Sequence, residues 1–155
     1  MTPRKELFIK VKEELMTIPE LDLVDLERKQ MQSDKFPNLF VAALVRINRI
    51  SYTTMTEQNQ EGEASIDVVL YCRDGWLDQH NGTQDPEHGL NEIDLMDKIA
   101  EKLQFLKGDQ FTPLQQTDDE TEEQDMDGLF AYRQTFDTRV YRKLAGKYTN
   151  KKLNI

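Results

Sequence analysis

The run Phe36-Pro37-Asn38-Leu39-Phe40-Val41-Ala42-Ala43-Leu44-Val45-Arg46-Ile47 constrains the fold of this chain more than any other stretch. Leu39, Val41, Ala43, Val45 and Ile47 recur at period two, the spacing of one face of a β-strand. Phe40, Ala42 and Leu44 make the other face apolar as well. A strand apolar on both faces has to be covered on both, by a helix on one side and by another sheet or a subunit on the other. The sequence offers no obvious second layer, so a neighbouring subunit is the simplest cover, and Phe40, Leu44 and Tyr52 are the expected interface residues.

The rest of the chain supplies the partners of that strand. Thr2-Pro3 is a helix start, a capping hydroxyl followed by proline at the first helical position. Leu7, Val11, Leu15 and Ile18 then form one apolar stripe, with Pro19 as its stop. A short strand follows over Leu21–Leu26. The alternation of the long apolar strand slips after Ile47, because Ile50 and Tyr52 fall on the other parity; a bulge near Asn48 or Arg49 accounts for this. Residues 55–62 read as a polar hairpin connection, and Ala64, Ile66, Val68, Leu70 and Cys72 as the inward face of the returning strand.

Residues 73–91 carry the turn signals Asp74-Gly75, Asn81-Gly82 and Asp85-Pro86 and are expected to be a mobile loop. Asn91 is a candidate N-cap for a second helix with the stripe Leu95 or Met96, Ile99, Leu103 and Leu106, closed by Gly108. A strand over Phe111–Gln116, an acidic mobile loop over 117–127 and a last strand from Leu129 complete the order. That last strand places Phe130, Tyr132, Phe136 and Val140 on one face. Strands that follow one another through short links favour an α+β fold: an antiparallel or mixed sheet with a long β-hairpin and two helices on one face.

The 155 residues suit a single domain, 1–155, able to bury a real core. No apolar run approaches the roughly 20 residues needed to cross a bilayer, and Met1–Glu6 leads into an amphipathic segment instead of a signal-peptide core. The lone Cys72 excludes an internal disulfide framework and fits a small buried residue in a reducing compartment. A net charge of −9 argues against tight binding to nucleic acid. That charge is uneven: Arg139, Arg142, Lys143, Lys147, Lys151 and Lys152 fall in the last 17 residues with no acid among them. Taking those six from the total leaves −15 on the preceding 138 residues, an acidic body with a basic C-terminal tail over 146–155.

Three constellations invite a chemical reading. Glu123-x-Asp125-x-Asp127-Gly128 copies the first half of a calcium loop, but its twelfth position is Gln134, which cannot give a bidentate carboxylate. His80 and His88, with Asp78, Asp85 and Glu87, match no metal spacing. Asp67 on a strand and Asp97-Lys98 on a helix lack the acidic-pair-plus-lysine arrangement of a metal-dependent nuclease. Phosphate loops, nucleophile motifs and dinucleotide fingerprints do not occur. The expectation is a chain without catalytic, cofactor or metal site: an assembly part, not an enzyme.

The succession Glu6-Leu7-Phe8-x-x-Val11-x-x-x-Leu15, Ile18-Pro19-Glu20-Leu21, Val24-Asp25-Leu26 and then Phe36-Pro37 before a long apolar strand resembles tailed-bacteriophage neck and tail proteins. Within them it is most similar to the tail-terminator and head–tail joining family. That resemblance implies a helix, a sheet with one long hairpin, a second helix and closing strands, and no catalytic residues. It also implies a homo-oligomeric ring at the end of the tail tube, contacting tube and head-connector proteins around a DNA channel. Such a protein is made in the bacterial host cytoplasm and resides in the virion. The alternative from another class is a monomeric or dimeric protein-binding module of a mobile element, with loop 73–91 as its recognition surface.

Overall fold

Thr2 caps the first helix by accepting the amide of Lys5 at 3.2 Å, and Pro3 stands in its first turn. In the computed structural model, which describes residues 1–32, 40–73, 90–124 and 128–146, helix α1 spans Pro3–Leu15. It ends at Met16, ahead of Pro19. Strand β1 (Leu23–Leu26) and a 3-10 turn (Gln30–Gln32) follow. The long strands β2 (Val41–Thr54) and β3 (Asn59–Arg73), helix α2 (Asn91–Leu103), and strands β4 (Gln115–Glu122) and β5 (Leu129–Lys143) complete the chain. The sheet runs β1-β2-β3-β5-β4; β1 is parallel to β2 and every other pair is antiparallel. This is the expected α+β arrangement with a mixed sheet, a long hairpin and two helices on one face.

The helices bury their apolar stripes on one face of the sheet. Leu7, Val11 and Leu15 of α1 and Leu95, Ile99 and Leu103 of α2 share a core with Val41, Ala43, Val45 and Ile47 of β2. Ile66, Val68, Leu70 and Cys72 of β3 and Phe136 and Val140 of β5 complete it. The bulge falls where the parity slip placed it, between Ile47 and Arg49, and turns Ile50 and Tyr52 onto the helix side. Gln134 interrupts the inward face of β5 without an unpaired polar group, because its amide donates to the Met96 carbonyl at 2.9 Å. Thr138 likewise donates to the Thr112 carbonyl at 2.6 Å.

Several local expectations are corrected. Asn91 is the first residue of α2 and Leu90 its cap, with no side-chain hydrogen bond, so the asparagine does not cap the helix. The chain leaves α2 through Phe105, which adopts a left-handed φ of 65°, and not through Gly108. The Phe105 amide donates to the Leu114 carbonyl and the Leu114 amide to the Leu106 carbonyl, both at 2.8 Å, which holds that strained residue.

Gly108 serves packing instead. A Cβ there would lie 2.2 Å from Glu6 Oε1 and 2.3 Å from the Phe111 ring. Its absence lets the buried Glu6 carboxylate accept the Gln110 amide at 2.9 Å.

The hairpin turn is shorter than 55–62, since β3 begins at Asn59. Phe111 makes only an isolated bridge to Val140, and the strand in that region starts later, at Gln115. It runs straight through Asp118, Asp119, Glu120 and Glu122, so half of the expected acidic loop is an edge strand. Phe130 is 42% exposed and stays out of the core. Phe36-Pro37, Leu39, His80, His88 and their neighbouring acids, Asp125, Asp127, Lys147, Lys151 and Lys152 lie outside the described residues.

Candidate functional site

The face of the sheet turned away from the helices changes character along the strands. Its first rows, set by register, are Leu23–Ala42–Tyr71–Ala131 and Asp25–Leu44–Val69–Arg133. Met31 from the 3-10 turn joins Ala42, Leu44, Val69, Tyr71, Leu129 and Ala131 in a second apolar cluster, with Leu23 and Phe40 packed against it. The next row, Arg46–Asp67–Thr135, is charged, and beyond the bulge Arg49, Ser51 and Thr53 are exposed.

The second cluster corrects the expectation that this face lacks cover within one chain. Leu44 is 0% exposed in the single chain and Phe40 is partly buried. Parity placed both on the correct face, but Leu44 is sealed inside the subunit, so a charge there would test folding and not association. Tyr52 lies elsewhere, on the helix side near the hairpin end. It packs against the first core, and the Arg142 guanidinium sits 4.0 Å from its ring centroid. The three expected interface residues therefore do not form one patch.

The charged row is a connected network. The Asp67 carboxylate accepts from the Thr135 hydroxyl and the Asn48 amide, both at 2.8 Å, and from Arg46 Nη2 at 3.4 Å. The same Arg46 nitrogen donates to Glu122 Oε1 at 2.6 Å, and Arg133 bridges Glu122 and Glu120. Burial alone would lower the Arg46 pKa, yet Glu122 and then Asp67 raise it on balance, so the guanidinium stays charged. The Tyr71 hydroxyl donates to Glu27 Oε2 at 2.9 Å; burial first, and the Glu27 carboxylate second, push its pKa up.

Every carboxylate of this network already has a donor, which is the arrangement of a structural tie and not of a general base waiting for a proton. Asp97, on α2 and exposed, is not part of it, and Lys98 pairs with Glu20 instead. Asp67 and the Asp97-Lys98 pair are thus not brought together. Among the described residues no group of three or more His, Cys, Asp or Glu side chains could hold a metal ion. No helix among them is long and apolar enough to cross a membrane. Cys72 is buried on the helix side, where burial, reinforced by Glu92, pushes its thiol up to about 12.

Sequence reasoning missed a second feature. Where β1 ends, β2 runs on from Arg46 to Thr54 with no strand beside it on that side among the described residues. An open groove of about 500 Å³ lies there, lined by Arg4, Lys5 and Phe8 of α1, by Glu27 and Arg28 after β1, and by Arg46 and Asn48 of β2. The Arg4 guanidinium donates to the Ile47 carbonyl on that free side. Arg4 and Lys5 read in sequence as a solvated first turn, and nothing in their spacing announces that the fold brings Arg28 and Arg46 beside them.

At the opposite edge of the sheet, Asp118 and Asp119 of β4 are exposed and without an ion pair among the described residues. Partial desolvation of the Asp119 carboxyl, and then the charges of Asp118 and Asp97, raise its pKa above the ordinary aspartate value. The chain matches no model of a known protein family, and a comparison with curated proteins also finds no match.

Proposed function

We propose that this chain is a non-enzymatic structural protein of a tailed-bacteriophage virion. It is a subunit of a homo-oligomeric ring that ends the tail tube or joins it to the head and leaves a channel for DNA. The order helix, short strand, long hairpin, helix, closing strands agrees with what the sequence resemblance implies for tail-terminator and head–tail joining proteins. The observation that carries the reading is the arm formed by β2, β3 and β5, which extends well past β1. Its outward residues there, among them Asn48, Arg49, Ser51, Glu63 and Arg139, are exposed in the single chain. A long arm presented beyond its own core suits a part whose remaining contacts come from neighbours.

The charge is consistent with a conduit. A net −9 repels phosphate, so DNA passes such a ring without being held. In the phage, the ring's partners are further copies of itself, the tail-tube protein and the head connector, and its place is the virion, after synthesis in the host cytoplasm.

Light scattering of the purified protein, with negative-stain images, tests this. Closed rings with a central opening are expected. A chain that stays monomeric or dimeric at all concentrations would overturn the ring and favour the binding module. Metal-dependent DNA cleavage that is lost in Asp67→Asn would overturn the non-enzymatic reading.

A further inference from the structure

The two edges of the sheet carry opposite charge. At one edge, the groove beside β1 presents Arg4, Lys5 and Arg28, none of them in an ion pair among the described residues. Glu27, the acid among its described lining residues, already accepts from the Tyr71 hydroxyl through one oxygen and from the Lys29 amide through the other. The groove therefore has a surplus of positive charge on a chain whose total is −9. At the other edge, β4 presents Asp118 and Asp119, two acids held close to like charge and without an ion pair among the described residues. Among the described residues each edge lacks an ion-pair partner, and each is complementary to the other.

We propose that the acidic edge strand β4 of one copy docks at the basic groove beside β1 of the next copy. Asp118 and Asp119 of the first copy then face Lys5 and Arg28 of the second. Because the two surfaces are different and lie at opposite edges of one sheet, the contact is heterologous and repeats from copy to copy. Repetition of such a contact closes into a ring when the rotation allows it. Two β4 edges cannot pair with each other, since their acids repel, and two basic grooves are excluded in the same way. The Asp118 side chain also accepts the Asp119 amide at 2.9 Å, and the strand carries a bulge between Gln116 and Asp118. Backbone pairing along that edge is blunted, and side-chain charge decides which partner fits.

The proposal rests on the ring reading and names its interface. Two double variants test it: Lys5→Glu with Arg28→Glu, and Asp118→Lys with Asp119→Lys. All four positions are exposed, and Arg4 is left in place because it caps the Ile47 carbonyl. Sedimentation should show the wild type assembled at low salt and at least tenfold weaker in association at high salt. Each double variant alone should be monomeric, with an unchanged circular dichroism spectrum.

An equimolar mixture should regain the oligomer, because each variant then offers the edge the other needs. Variants that assemble like the wild type, or a mixture that stays monomeric, would overturn the interface and leave the ring reading standing. A wild type monomeric at every salt concentration would overturn both.

Discussion

Arg46 of β2 lies 2.6 Å from Glu122 of β4, although β3 and β5 run between their strands. Three strand spacings span about 14 Å in a flat sheet. The two long side chains reach toward each other across the intervening strands, over the face turned away from the helices. The pair is a tie that holds the edge strand to the hairpin.

Asp67 is the centre of that tie, with three donors from β2 and β5. Asp67→Ala should cost about 1–3 kcal/mol, because it strands the Thr135 hydroxyl and the Asn48 amide and removes a counter-charge from Arg46. Asp67→Asn keeps an acceptor and should cost less. Urea denaturation of the two variants checks the order; equal losses would mean that charge alone matters at this position.

Gly108→Ala should destabilise the fold by about 1–3 kcal/mol through overpacking. The added methyl would meet Glu6 Oε1 and the Phe111 ring well inside contact distance. Relief of that clash would displace the Glu6 carboxylate from the Gln110 amide. Thermal melts of Gly108→Ala, Glu6→Ala and the double variant give the coupling. The two single losses should add to clearly more than the loss in the double variant.

The sequence makes the helix-side core legible because period and burial coincide there. Leu7, Val11, Leu15, Ile99 and Leu103 all pack where their spacing puts them, and even the bulge is visible as a change of parity at Ile47. The opposite face is legible only as far as parity goes. Phe40 and Leu44 belong to it, but the cover contributed by Met31 comes from a 3-10 turn in a polar stretch without periodicity. β4 was hidden because Asp118, Asp119 and Glu120 have low strand propensity. Its strand exists through pairing with β5, a contact between segments that no local pattern reveals. The basic groove was hidden for the same reason, since α1, the end of β1 and β2 meet only in three dimensions.

Cys72 should make stability fall on the alkaline side. Its thiol is pushed from 9.0 up to about 12, chiefly by burial. The folded state therefore favours the neutral thiol, and that stabilisation is complete below pH 9, where the unfolded thiol is neutral too. Above it only the unfolded chain ionises, and this residue contributes a loss on the order of 1.4 kcal/mol per pH unit until the folded thiol also titrates. Cys72→Ala should show a shallower decline between pH 9 and 12 than the wild type, whatever its stability at pH 7. Parallel curves in reducing buffer would contradict the assignment.

Asp119 should do the reverse on the acid side. Its carboxyl is held above 3.8 by partial desolvation and by the charges of Asp118 and Asp97, so the folded state disfavours its ionised form. That penalty is present at neutral pH and disappears as the pH falls through the folded value toward the unfolded one. Asp119→Asn should therefore stabilise the subunit at pH 7 by only a few tenths of a kcal/mol, since the side chain is exposed and screened. The gain should shrink with added salt and vanish below pH 3.8. The same substitution removes one of the two β4 acids that have no ion pair among the described residues, so it should weaken association while it strengthens the fold. Chemical denaturation and sedimentation on one preparation separate the two effects. A variant that gains stability without losing association would mean that this carboxylate is merely tolerated at the edge and not used there.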